Sequence, residues 1–214
     1  MKTALTWIHD HRFLAVMRTL TVEQVSATAK ALYDGGIHCI EVTVQSSESF
    51  MAINTLVREM TDVLVGAGTV LTVDEVRRAV DSGAQYIVSP NVDPDVIRET
   101  KRLGVLSIPG AMTPTEVVDA LRAGADLIKI FPASAVGPQF FREMKGPLPS
   151  IRLLAVGGIN AQNAADFVHS GAYGVAIGGY LVAKDLVDAR RYQEITDRAR
   201  MVMDAVRGAL QTTC

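Results

Sequence analysis

Short runs of apolar, often β-branched residues alternate with longer amphipathic stretches along most of the chain. The strand-length runs are residues 13–18, 39–43, 63–67, 86–89, 105–109, 127–131, 153–156 and 174–177. Between them the apolar positions recur at helical spacing. In the last such stretch Ile195, Ala199, Val202, Val206 and Leu210 share one face. Strands that are apolar throughout suit a parallel sheet covered on both faces, and the intervening helices supply the cover. Eight strands alternating with helices predict an α/β fold, a single (β/α)8 barrel over residues 1–214, with an extra helix ahead of the first strand. An open, doubly wound sheet is the rival arrangement.

The punctuation between elements agrees with this pattern. A small residue or Asp, then Gly, precedes four of the strands, at Gly36, Gly83, Gly124 and Gly171. Glycine supplies the left-handed position that ends a helix. The spacings are 47, 41 and 47 residues, room for two strand–helix units in each period. Helix starts carry capping boxes: Thr21 with Gln24, Thr72 with Glu75, and Thr113 with Glu116. Asp93 and Asn160 are further expected N-caps.

Composition removes several classes of function. The 214 residues are 49% hydrophobic and 21% charged, with a formal net charge of −2. No basic block marks a nucleic-acid partner, and no apolar run approaches bilayer length. The first residues carry Asp10 and two histidines where a signal peptide would be apolar, so secretion is not expected. Two cysteines, Cys39 and Cys214, form no disulfide framework, and a cytoplasmic location is the expectation. His9, His11, His38 and His169 have no metal-ligand spacing, and no cofactor motif occurs, so neither metal nor cofactor is expected. Met17, Met112 and Met144 read as core or gap-filling residues.

Barrel chemistry sits at the C-terminal ends of strands, so polar residues there are the candidates. Lys129 is the sharpest case. Of six lysines, it is the one inside a strand-like run. Alternation sends Ile128 and Ile130 toward the helices and Lys129 into the barrel. A buried ammonium is costly, so its pKa should fall, and a free amine can attack a ketone. A structural cation paired to a carboxylate, or a phosphate ligand, explains the same position equally well. Glu41 lies between helix-facing Ile40 and Val42 and shares the interior. It suits proton transfer, or an ion pair with Lys129 or Arg18. Arg18 ends the first strand and offers a fork for a carboxylate, or a salt bridge at the mouth. Gly157 and Gly158 follow strand seven, and Gly178 and Gly179 follow strand eight. Backbone amides at two consecutive strand ends suit a phosphate. The Gly66–Thr69 run could expose backbone groups and a hydroxyl in the same way.

In combination, GGIHCIEVT, VGAGTVLT, YIVSPN, PGAMTPTE, LIKIFPASAVGPQF and GGIN resemble the pyruvate-forming class I aldolases. These act on 2-keto-3-deoxy-6-phosphogluconate (KDPG) or its galactonate epimer (KDPGal). The resemblance runs from about Phe13 to Leu181. It implies a homotrimeric barrel in which Lys129 forms the Schiff base and Glu41 is the general acid/base. It also implies that Arg18, Thr69 and Pro90 hold the keto-acid end, and that Gly157, Gly158, Gly178 and Gly179 take the phosphate. The implied substrate is a phosphorylated keto acid, with 4-hydroxy-2-oxoglutarate cleavage or a non-aldolase phosphate-binding barrel as the alternative. Gln45, Val156 and Gly179 stand where KDPG-specific members often carry Arg, Thr and Ser. Residues 134–139 and 155–158 look closer to the KDPGal branch.

Overall fold

The computed structural model describes residues 3–18 and 20–212. Its first helix, α1 (Ala4–His11), starts where the Thr3 hydroxyl accepts the amide of Thr6. Eight parallel strands follow: β1 (Phe13–Met17), β2 (Cys39–Thr43), β3 (Leu64–Gly68), β4 (Tyr86–Val88), β5, β6 (Ile128–Ile130), β7 (Leu153–Val156) and β8 (Gly174–Ile177). Strand β5 is broken into Leu106–Ile108 and Gly110–Ala111 by Pro109. Its first half pairs with β4 and its second with β6, so this strand closes the ring. The ladder runs on across the break, because Lys129 N–H donates to Pro109 O and Phe131 N–H to Ala111 O. Proline can sit there because its carbonyl serves the ladder and its missing N–H is not called on.

Helices α2 (Val22–Asp34), α3 (Ser47–Glu59), α4 (Val73–Asp81), α5 (Pro94–Arg102), α6 (Pro114–Ala123), α7 (Ala133–Lys145) and α8 (Ala164–His169) alternate with the strands. Then come α9 (Lys184–Asp188) and the long α10 (Tyr192–Gln211). The three capping boxes form as expected. Asp93 caps α5, its carboxylate accepting from the amides of Asp95 and Val96. Asn160 does not cap α8. Asn163 holds that position, and the Asn160 carboxamide oxygen accepts from Gln162 and Asn163 in the turn before it. All four punctuating glycines, Gly36, Gly83, Gly124 and Gly171, have φ near +90 to +110°. Gly104 is a fifth, at +77°, midway through the 83-to-124 interval, and it marks a single strand–helix unit.

Two cores result. Ile40, Val42, Val65, Ala67, Ile128 and Ile130 face the helices. Leu14, Val16, Cys39, Leu64, Tyr86, Val88, Ile108, Leu127, Leu154 and Val156 fill the ring. Ile8 of α1 joins the inner set, so the extra helix closes the end of the barrel opposite the site. Met17 and Met144 are buried, but Met112 is 39% exposed, a correction to its expected core role. It lies in the short β5–α6 connection, whose amides are occupied by the Glu116 cap rather than by packing. Cys39 is buried in the inner core as a free thiol, and Cys214 lies outside the described residues. No helix among the described residues is long and apolar enough to cross a membrane.

Helices α4 and α5 are tied by one carboxylate. Arg77 Nε donates to Glu99 at 2.7 Å, and Arg102 Nε and Nη2 donate to it at 2.7 and 2.8 Å. These bonds favour the ionised form and hold the Glu99 carboxyl at about 2, below its ordinary 4.5. A carboxyl held low stabilises the fold above its ordinary pKa and loses that contribution as pH falls toward 2. Glu99→Gln should therefore lower the melting temperature at pH 6. The gap from the parent should close as both are titrated toward pH 2, measured by thermal denaturation across that range.

Candidate active site

The site is built on the C-terminal ends of the strands. Lys129 is the middle residue of β6, paired with Gly110 on one side and Leu154 on the other. Its helix-facing neighbours, Ile128 and Ile130, leave it pointing into the ring, where it is 5% exposed. Glu41 projects inward from β2 and is 2% exposed. No hydrogen bond or ion pair joins the two among the described residues, and they act on each other through charge. Burial pulls the Lys129 ammonium below the ordinary lysine range. The Glu41 charge opposes that fall and Arg18 adds to it. Burial pushes Glu41 above the usual carboxylate range against the pull of Lys129 and Arg18. Each group is thus moved toward its neutral form, the amine toward nucleophile and the carboxyl toward proton carrier.

Glu41 has a seat cut for it. A Cβ on Gly68 would fall 1.8 Å from Glu41 Oε1. The carboxylate therefore lies across a strand position that has no side chain. Two residues earlier, a Cβ on Gly66 would meet the Tyr86 ring at 2.3 Å. The glycines of the Gly66–Thr69 run make room for side chains, whereas their expected service was to expose backbone groups. Thr69 follows with φ +59° and is half-buried.

A cavity of about 390 Å³ opens at the C-terminal ends of β1, β7 and β8, lined by Val16, Arg18, Phe131, Val156, Gly157–Asn160 and Ala176–Tyr180. Phe131 belongs to this lining and also touches Lys129. Its ring centroid is 4.8 Å from Lys129 Nζ, and the residue is 36% exposed. Gly157 and Gly158 have φ of +93° and +74°, and a Cβ on Gly158 would strike Ser134 at 2.5 Å. Both must be glycine. Gly178 and Gly179 have no such constraint, and a Cβ on Gly179 would meet nothing within 4 Å. The amides of Gly158, Ile159, Gly179 and Tyr180 find no acceptor among the described residues. They leave unpaired backbone donors in the lining of the cavity that Arg18 also lines.

The structure gathers seven of the nine expected residues. Arg18 and the four glycines line the cavity; Lys129 and Glu41 do not line it but are buried inside the ring, Lys129 against the cavity-lining Phe131. Thr69 and Pro90 follow β3 and β4, across the ring from β7 and β8, and do not line the cavity. Pro90 packs its carbonyl against Gly110, where a Cβ would come within 2.3 Å. Phe131 and Tyr86 were not singled out, and Gly66 and Gly68 were read only for their backbone groups. Glycines on alternate positions of one strand were the available signal, because they empty one layer of the interior. Among the described residues no three His, Cys, Asp or Glu side chains gather into a metal-holding group.

A family model for KDPG and KHG aldolases matches residues 6–198. The chain belongs to this aldolase family. It is a carbon–carbon lyase. The 2-dehydro-3-deoxy-6-phosphogalactonate aldolase of Escherichia coli K12 is 35% identical over 210 residues, covering 97% of this chain and 100% of the relative. The 2-dehydro-3-deoxy-phosphogluconate aldolase of Treponema pallidum is 33% identical over 196 residues, 91% of this chain and 93% of the relative. Among solved structures, the KDPG aldolase of Legionella pneumophila superposes with a TM-score of 0.87 at 26% identity, covering 94% of this chain and 99% of that one. It holds pyruvate as a covalent carbinolamine.

The Gly68 seat makes a structural prediction. Gly68→Ala should drive the Glu41 carboxylate off β3 and destabilise the fold by about 1–3 kcal/mol, the usual cost of overpacking. A crystal structure of the variant with Glu41 in its parent position would contradict this.

Proposed function

We propose that the chain is a class I aldolase that cleaves a 2-keto-3-deoxy-6-phospho sugar acid, KDPG or KDPGal, to pyruvate and D-glyceraldehyde 3-phosphate. The observation that carries this reading is Lys129, an amine buried inside the ring against the cavity-lining Phe131, its pKa pulled down by burial and its charge coupled to a Glu41 carboxyl that burial pushes up. The neutral amine attacks the C2 ketone, and loss of water from the carbinolamine leaves an iminium. Glu41 takes the proton of the C4 hydroxyl as the C3–C4 bond breaks. The bonding electrons pass to the iminium nitrogen, the aldehyde departs, and an enamine remains. Protonation at C3 and hydrolysis release pyruvate and restore the amine. The carbinolamine held by the Legionella enzyme supports the same first step here.

In this reading Arg18, with Thr69 and Pro90 on the far rim, takes the keto-acid end. The amides around Gly157, Gly158, Gly178 and Gly179 take the phosphate. The free space at Gly179 admits an anion close to the backbone. Val156 lines the cavity with a methyl surface, so a substrate hydroxyl on that side meets no partner. This favours whichever C4 epimer turns its hydroxyl elsewhere. We also propose a cytoplasmic homotrimer, as the family resemblance implies. Light scattering that returned the mass of one 23.0 kDa chain would contradict it.

Borohydride added with pyruvate should attach a reduced pyruvate adduct to Lys129, read by peptide mass spectrometry. An unmodified Lys129 would overturn the mechanism. Glu41→Gln should keep the adduct yet lose about 10²–10⁴-fold in turnover, the usual contribution of acid–base catalysis. Val156→Thr should change the ratio of KDPG to KDPGal cleavage, assayed side by side. An unchanged ratio would remove Val156 from specificity.

A further inference from the structure

The mechanism leaves Cys39 and Tyr86, two titratable groups buried in the ring, unused. Tyr86 is fully buried in the ring, and its hydroxyl has no hydrogen-bond partner. Leaving a buried hydroxyl unpaired costs about 1–3 kcal/mol, whereas Phe would fill the same space without that cost. The fold gains nothing from the oxygen.

The register shows where the oxygen is carried. Glu41 of β2 pairs with Gly66 of β3, and Ala67 pairs with Ile87 of β4, which sets Gly66 beside Tyr86. Glu41 and Tyr86 therefore flank one empty position and both point inward. The phenol ring lies over Gly66, its Cζ 2.4 Å from where a Cβ would be. The carboxylate lies over Gly68 on the same strand face. The hydroxyl end is within the electrostatic reach of Cys39 and Glu41 on β2. Burial drives the Cys39 thiol far up, so it stays neutral. The charged and titratable groups facing Glu41 are thus Lys129 from β6, Arg18 beyond β1, Cys39 from its own strand and Tyr86 from β4. Lys129 is committed to the substrate carbon once an imine forms, which leaves the phenol as the nearby uncharged donor.

We propose that Tyr86 is a positioning residue for Glu41: its hydroxyl, carried across Gly66 and unpaired in this structure, turns to donate to the Glu41 carboxylate once that group ionises and waits to take a proton from the Lys129-bound intermediate. The idea rests on the aldolase reading. In the partial reaction with pyruvate, the ionised Glu41 removes a proton from the C3 methyl of the iminium. The electron pair moves to the nitrogen to give the enamine, and a solvent-derived proton returns by the reverse path. A donor to the ionised carboxylate eases its formation, and losing that donor raises the pH needed for it.

The test uses Tyr86→Phe in the full chain, with two readouts. The first is borohydride trapping of pyruvate on Lys129, which reports imine formation. The second is deuterium uptake into the pyruvate methyl group in heavy water as a function of pH, which reports Glu41. We expect equal trapping in both proteins. In the variant, the rising limb of the exchange profile should sit about one pH unit higher, so exchange below the limb is about tenfold slower. Equal trapping with an unmoved or lowered limb overturns the role of Tyr86 and leaves the aldolase reading intact. Absence of trapping in the parent protein overturns that reading and this proposal with it.

Discussion

Everything at this site depends on keeping an amine and a carboxyl inside an apolar ring. Burial penalises both charges, and the mutual attraction of Lys129 and Glu41 offsets only part of that penalty. Two groups that would be charged at the surface are each shifted toward neutrality. The surrounding layers serve that condition. Leu127, Leu154 and Val156 form apolar walls, and Ile8 closes the ring from below. Arg18 stands at the mouth, exposed, where it reinforces the fall of the lysine and the ionisation of the glutamate.

Glycine shapes this interior in two distinct ways. Gly157 and Gly158 are needed for a left-handed backbone that turns the chain under Phe131 and Ser134. Gly66 and Gly68 sit in ordinary strand conformation and matter because they are empty. One admits the Tyr86 ring and the other the Glu41 carboxylate. A barrel of eight strands has an interior just wide enough to be filled by side chains. Polar groups can be placed there only where a layer is left vacant, and β3 leaves two.

Much of the fold was legible because parallel strands buried on both faces leave a plain record. The eight apolar runs lie within a residue or two of the observed strands, and the four glycines ahead of strands all adopt the expected left-handed turn. The capping boxes at Thr21, Thr72 and Thr113 formed because each needs only residues three apart. Asn160 was misplaced because its carboxamide could serve a turn as well as a helix, and the choice fell to Asn163. Met112 was misplaced because an apolar residue in a short connection can be left outside when the cap fixes the backbone.

Period-two alternation determined from the sequence that Lys129 and Glu41 enter the ring, since a strand gives each residue one of only two faces. The motifs determined the aldolase family. The sequence did not decide what each group would meet on entering. The seat of Glu41 over Gly68 and the phenol laid across Gly66 each join residues on different strands. Such contacts depend on the register of neighbouring strands and on the closure of the ring through Pro109. Both are set by the packing of the whole barrel, which no local pattern encodes.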